Sequence, residues 1–249
     1  MMAEYPGALD SIIRETVQQK GGIDIDGDAR ASLAIRAGML TELFEVGDDG
    51  LPHLNPGLSV ERQIEAWLAA GAVADARRLL AHALPPRHAM WWALLALVEA
   101  HGRVPYPDKV VEAFTGVRDF LLNPSEEARR ACHDLAEAAD ASSAGGAIGY
   151  AAFLSCGSMA PPDCPPVLPK AHLCGHLCGV AVYLASVQFD PIHYKEHNAQ
   201  FVRLGLRVAR GELALPDQPA RAAELPAAAP ELEREVARAD RASAHRASF

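Results

Sequence analysis

Cysteine and histidine side chains are concentrated between residues 156 and 197. Four of the five cysteines and four of the ten histidines fall within this stretch. Three pairs stand four residues apart: His172 with His176, Cys174 with Cys178, and His193 with His197. On a helix, residues four apart project from one face, which is a usable spacing for two metal ligands. Thiolate and imidazole ligands together suit zinc or copper.

Two interpretations of this stretch remain open. The histidine and cysteine pairs within residues 172–178 are offset by two positions, about 200° around a helix, so one helix cannot direct both pairs at one ion. A metal site would combine one pair with either Cys156 and Cys164 or the later histidine pair. In the other interpretation the cysteines are small core residues beside Gly175 and Gly179, and the histidines lie at a helix start or edge.

Thiol chemistry is the second activity that these residue types could support. Cys156 with His172 or His176 would form a thiol–imidazole pair, yet the sequence supplies no third group to orient the imidazole. The phosphate-binding patterns GxxxxGK[ST] and GxGxxG do not occur in the chain. The sequence thus contains no complete catalytic constellation, and we expect a protein that is not an enzyme and uses no cofactor.

The elements that must position these residues all have helical periodicity. Proline and glycine divide the chain into segments with that period, and no run shows strand-like alternation. The cysteine and histidine stretch follows a proline-rich loop at 157–169 and falls on helices predicted over about 170–188 and 191–211. We therefore predict an all-α fold, an irregular bundle of about eight to ten short helices around a central tryptophan-rich helix.

The central helix is predicted from the stretch PPRHAMWWALLALVEAHG. Its first residue, Pro86, fits the first turn of a helix, where the missing N–H has no consequence, and Pro85 ends the helix before it. Trp91 and Trp92 point about 100° apart, so they contact different neighbours. Since the helix is apolar almost all round, we expect other helices to surround it and both indole rings to be buried.

Arg87 occupies the first turn of this helix. A cation there is unfavourable for the helix dipole, which favours negative charge at the N-terminus. The placement predicts a carboxylate partner for Arg87, and Asp75 and Glu99 are the candidates.

Three regions are predicted from composition and turn signals. Residues 1–58 form a helical extension with candidate helices at 8–20 and 28–46, and the turn-rich residues 47–57 follow. Residues 59–211 form the helical core domain. Residues 212–249 are rich in alanine, proline, glutamate and arginine. This composition predicts a flexible tail with one marginal helix.

Charge and hydropathy exclude several classes of partner. The net charge of −9 and the pI near 5.5 argue against a nucleic-acid or anionic-membrane surface. The longest purely apolar run, at 89–98, is far shorter than the roughly 20 residues that cross a bilayer. The N-terminus lacks the pattern of a secretory signal, and the cysteines do not form a disulfide framework, so we expect a cytoplasmic protein with reduced thiols.

The stretch WLAAGAVADARRLLAHALPPRHAMWWALLAL resembles an uncharacterised bacterial family of all-helical proteins. The resemblance rests on an acidic-alanine helix, a leucine-proline-x-arginine turn and a tryptophan pair. These features fall at Asp75, Ala76, Leu84, Pro85, Arg87, Trp91 and Trp92, and the similarity extends over roughly residues 60–215. Some members carry a label naming the twin-arginine translocation pathway, but this chain has no twin arginine near its N-terminus.

The resemblance implies no catalytic residues. It implies a link to bacterial secretion assemblies as a class of partner. Together with the lack of a catalytic constellation, it leads us to expect a cytoplasmic helical adaptor or scaffold that binds another protein. The alternative is a metal-binding or thiol-redox protein that uses residues 156–197.

Overall fold

The computed structural model describes residues 25–215, and these residues form an all-α structure without an assigned strand. Nine α-helices follow one another in this part of the chain. They are α1 Ala29–Ala34, α2 Val60–Ala70, α3 Val73–Ala83, α4 Pro86–Arg103, α5 Asp108–Leu122, α6 Glu126–Ala138, α7 Ala144–Phe153, α8 His172–Phe189 and α9 Tyr194–Ala209. Three short 3₁₀ helices lie between α1 and α2. The predicted all-α class is confirmed.

Short polar residues set several helix starts. Ser59, Ser125 and Ser143 each accept a hydrogen bond from the backbone N–H three residues later, at the starts of α2, α6 and α7. These bonds satisfy N–H groups that have no partner within the helix. Gly71 ends α2 with a φ of 81°, a left-handed conformation that glycine adopts at little cost.

The helix α4 is central, as predicted. It packs against α5, α7, α8 and α9, and both Trp91 and Trp92 are buried. The Trp92 indole N–H donates to the carbonyl of Phe201 at 2.6 Å, whereas Trp91 donates to the carbonyl of Leu213 at 3.2 Å. Adjacent tryptophans thus contact different elements, because consecutive helical side chains diverge by about 100°.

The helix α8 is the second core element and packs against α3, α4, α7 and α9. Gly175 lies so close to α3 that a Cβ there would collide with the carbonyl oxygen of Ala81. Among the described residues, α8 alone is long and apolar enough, by length and composition, to cross a membrane, and half of it is buried inside the bundle.

Residues 25–58 pack against the same core as the later helices. Ile25, Leu33 and Leu40 are buried in it, and the Trp67 indole N–H donates to the carbonyl of Gly50 at 2.9 Å. The described part of the predicted extension is therefore continuous with the core. The candidate helix at 8–20, and the tail beyond residue 215, lie outside the described residues.

The helix predicted over 28–46 is shorter than expected. Asp28 caps its start as an acceptor for the Ala31 N–H at 2.9 Å. The helix ends at Ala34, after which Arg36 forms an isolated antiparallel bridge with Ser59. This pairing requires an extended backbone at Arg36, so the α-helix cannot continue there. Short 3₁₀ helices follow in place of the rest of the predicted helix.

Candidate functional site

The predicted ligand pairs lie at different places along α8 and α9. Cys174 and Cys178 are buried in the first half of α8. His197 instead lies beside Phe189 at the end of α8, with ring centres 4.2 Å apart, and His193 precedes α9. At 1.5 Å per residue, Cys178 is about 16 Å from Phe189 along the helix. In residues 25–215, no three Cys, His, Asp or Glu side chains are placed to hold one ion.

Cys132, Cys156 and Cys178 are in environments that suppress the thiolate. Burial raises the pKa of Cys178 well above its usual value, and its hydrogen bond with Cys174 acts in the same direction. Burial also raises the pKa of Cys156, and it raises that of Cys132 to about 12. Because the thiolate is the nucleophile and the metal ligand, these cysteines are poorly reactive at neutral pH. Cys164 is exposed.

Three imidazoles meet where α3 contacts the start of α8. The ring of His82 lies 6.2 Å from that of His172 and 6.3 Å from that of His176, centre to centre, and it stacks on Phe44 at 5.4 Å. Burial, together with the two neighbouring imidazoles, lowers the pKa of His82 to about 4. All three histidines have lowered pKa values, so this cluster is neutral at pH 7.

The part of His82 in this cluster could not be predicted from the sequence. His82 is the only histidine on α3, and the histidine pair of α8 comes far later in the chain. The sequence offers only one indirect signal: the glycines of α8 permit the close approach of another element but do not show which element that is.

The predicted partner of Arg87 is wrong. Arg87 Nη1 pairs with Asp26 Oδ1 at 2.8 Å, and Nη2 donates to the carbonyl of Leu121 at 3.3 Å. Asp75 accepts instead from the Gly47 N–H and from Arg78.

The segment that contains Asp26 lies beside Arg87 through a backbone contact that the sequence around Arg87 does not predict. The Arg87 N–H donates to the carbonyl of Ile25 at 3.0 Å, which brings the neighbouring Asp26 within reach. Glu99, the other predicted partner, lies more than three turns further along α4, about 18 Å away.

A groove of 1190 Å³ lies at one end of the bundle. One wall is the turn between α4 and α5, from Arg103 to Pro107, with the start of α5. The opposite wall is the end of α8, the turn at 190–193 and the start of α9. Ala139 and Ala144, at the junction of α6 and α7, lie between the walls.

The groove has an apolar floor and a polar rim. Buried or partly buried apolar residues form the floor: Val110, Ala139, Ala144, Leu184, Val187 and Phe189. The Arg103 guanidinium stacks on the Phe189 ring, 4.3 Å from its centre, and this contact joins the two walls. Lys109 is exposed on the first wall, and Asp190 and Glu196 lie on the second. The lining therefore combines apolar side chains with cations and carboxylates.

Two of the predicted ligands, His193 and His197, line this groove. His193 Nδ1 lies 2.8 Å from Asp190 Oδ2, which raises the pKa of His193. His197 Nδ1 lies 3.1 Å from Gln200 Oε1. Both imidazoles thus form part of the groove wall. They lie in a different part of the molecule from Cys174 and Cys178, which the sequence suggested as ligands of the same metal ion.

The sequence profile of DUF6931, a family of unknown function, matches residues 63–209. This span is more than half of the 249 residues. The chain belongs to DUF6931. No curated protein and no solved structure matches the chain.

The DUF6931 region runs from within α2 to the last residue of α9. It contains every residue that lines the groove, the tryptophan pair and the imidazole cluster. The expectation that the chain belongs to an uncharacterised family is confirmed. Residues 25–62 precede the DUF6931 region yet share its hydrophobic core.

Proposed function

We propose that this DUF6931 protein is a non-enzymatic helical adaptor or scaffold that binds a segment of another protein in the groove. The observation that carries the proposal is the groove itself. Its volume of 1190 Å³ exceeds the roughly 300–1,000 Å³ typical of small-molecule sites. Its walls are helix ends and turns, and among residues 25–215 no three Cys, His, Asp or Glu side chains are placed to hold one ion.

The lining defines the chemistry of the partner segment. An apolar floor suits an amphipathic helix or turn that buries aliphatic side chains. The cations and carboxylates of the lining suit a segment that carries both signs of charge at its edges, since complementary charges fix register and orientation. Ile192 is 84% exposed between Pro191 and His193, which both line the groove, and it places an apolar side chain beside the groove.

The wider setting of this function rests on the sequence. The net charge of −9 disfavours nucleic acid and anionic membranes as partners. We infer that the protein acts in a bacterial cytoplasm and that its partner is a component of a secretion assembly. The inference about the partner rests on the resemblance to a bacterial family whose members suggest that link.

Co-purification from the native host tests this proposal. Val104 lines the groove and is 41% exposed, whereas Leu51 is 54% exposed on the last 3₁₀ helix before α2. Val104→Glu places a charge on the apolar surface without filling the core, and Leu51→Glu is the matched control. We expect a stoichiometric partner to co-purify with the wild-type chain and with Leu51→Glu, and its recovery to fall at least tenfold with Val104→Glu.

The proposal fails if no stoichiometric partner is recovered with the wild-type chain. It also fails if Val104→Glu retains the partner as well as Leu51→Glu does. Circular dichroism and thermal unfolding of all three chains confirm that the two substitutions leave the fold equally intact.

A further inference from the structure

Two neighbouring arginines of α6 hold the proline-rich loop at 157–169 in place. Arg129 is fully buried and donates to the carbonyls of Phe153 and Ser158, while Arg130 donates to that of Ala160 at 2.8 Å. Glu126 pairs with both guanidinium groups. A buried, charged side chain that hydrogen-bonds to backbone carbonyls strongly restrains the segment to which they belong.

The two ends of the loop are also joined to each other. The Ser158 hydroxyl oxygen accepts from the N–H groups of Ala160 and Val167, both at 3.0 Å. The Met159 N–H donates to the carbonyl of Val167 at 2.8 Å. The loop is therefore a closed structure with a defined backbone path, and it carries little conformational entropy to lose on binding.

The apolar side chains of this ordered loop face solvent. Residues 161–168 are all exposed, and Val167 and Leu168 are each 51% exposed. These side chains contribute little to the core of the bundle. An ordered, exposed apolar segment is typical of a binding surface.

Proline fixes the conformation of the last part of the loop. Pro165, Pro166 and Pro169 have φ near −65°, and the residue before each proline is driven away from the α region. Residues 165–169 carry no helix, strand or turn assignment, as expected of an extended polyproline II segment. In that conformation, with three residues per turn, Pro165 and Leu168 lie on one ridge.

We propose that residues 165–170, with the sequence PPVLPK, are a ligand for a protein domain that binds polyproline II segments in an aromatic-lined groove. Such domains recognise paired X–Pro units, and this segment presents two, Pro165-Pro166 and Leu168-Pro169. Lys170 is exposed directly after them, so the partner carries an acidic side chain beside its groove.

This surface is separate from the groove of the proposed function. The loop joins the end of α7 to the start of α8, whereas the groove contains the start of α7 and the end of α8. The helix α8 is about 27 Å long, so the two surfaces lie at opposite ends of the bundle.

Capture from a lysate of the native host, with soluble poly-L-proline as the competitor, tests the inference. The full-length chain is immobilised as wild type, as a Pro166→Ala/Leu168→Ala double variant, and as a Pro161→Ala control within the same loop. We expect a polypeptide that binds the wild type and the control, elutes with poly-L-proline, and is captured at least tenfold less by the double variant. The groove variant Val104→Glu retains this polypeptide, which separates this test from that of the proposed function.

The inference is overturned if no captured polypeptide elutes with poly-L-proline, or if the double variant captures as much as the Pro161→Ala control. Elution of the captured polypeptide from the wild-type chain by poly-L-proline does not depend on the variants. The inference can therefore be overturned by this measurement even if the double variant does not fold.

Discussion

At the residue scale, His82 links protonation to stability. Its pKa is about 4 in the folded protein because of burial and the neighbouring imidazoles, against about 6.5 in an unfolded chain. Below pH 6.5 the unfolded chain therefore binds a proton that the folded chain does not. The stability that neutral His82 contributes is complete above pH 6.5 and is lost as the pH falls towards 4.

We predict that the wild-type protein loses about 2 kcal/mol of unfolding free energy through His82 between pH 7.5 and pH 5. His82→Gln removes this titration, so the variant should show a correspondingly weaker pH dependence. Urea unfolding of both chains at the two pH values measures the difference. Identical slopes for the two chains would show that His82 titrates normally. The lowered pKa values of His172 and His176 act in the same direction and remain in both chains.

Gly205 provides a test of core packing. A Cβ at this position of α9 would lie 2.6 Å from Leu80 Cδ2 and 2.8 Å from the Trp92 indole. Gly205→Ala should therefore destabilise the protein by about 1–3 kcal/mol, because the core is close-packed. Gly102→Ala, at a helical glycine with no heavy atom within 4 Å, is the control and should be neutral or slightly stabilising. Equal melting temperatures for the two variants would contradict the close packing of α9 on Trp92.

At the scale of elements, the arginines of α6 are the structural support of the 157–169 loop. Arg129→Met removes hydrogen bonds to two carbonyl oxygens and the pair with Glu126, and we expect a loss of about 2–4 kcal/mol. Arg118→Met, which removes only a pair with the adjacent, exposed Asp119, should cost less than about 1 kcal/mol. Urea unfolding gives both values, and amide hydrogen exchange should accelerate at Ala160 and Val167 in Arg129→Met alone.

The sequence predicted the elements well where local signals define them. Ser59 and Gly71 stand at the two ends of α2, where a serine and a glycine are typical, and the proline before α4 separates it from α3. The burial of Trp91 and Trp92 followed from a helix that is apolar on every side. Helix starts and buried faces depend on neighbours within one or two turns, and such neighbours are visible in the sequence.

The side-chain partners were less predictable because they depend on tertiary contacts. Arg87 pairs with Asp26, which approaches along a segment that the sequence analysis treated as a separate extension. His82 joins the histidines of α8 through the close contact at Gly175. His193 and the cysteines share a local cluster in sequence, yet α8 separates them by its length. Residue type and spacing therefore identified the chemistry of the groups but not which of them meet.

At the scale of the whole molecule, α7 and α8 connect two candidate binding surfaces at opposite ends. The groove lies where α7 starts and α8 ends, and the proline-rich loop lies where α7 ends and α8 starts. Both helices are largely buried and pack against each other. This arrangement suits a scaffold that holds two partners at a fixed separation.

Site-specific photo-crosslinking in cells of the native host tests most directly whether the groove end of the molecule binds a protein. A photoreactive amino acid replaces Ile192, which is 84% exposed beside the groove, or Leu51, the control position, which is 54% exposed. We predict a discrete adduct with one protein from position 192 that position 51 does not give, and that disappears when Val104→Glu is added. No adduct from position 192, or the same adducts from both positions, would contradict the account.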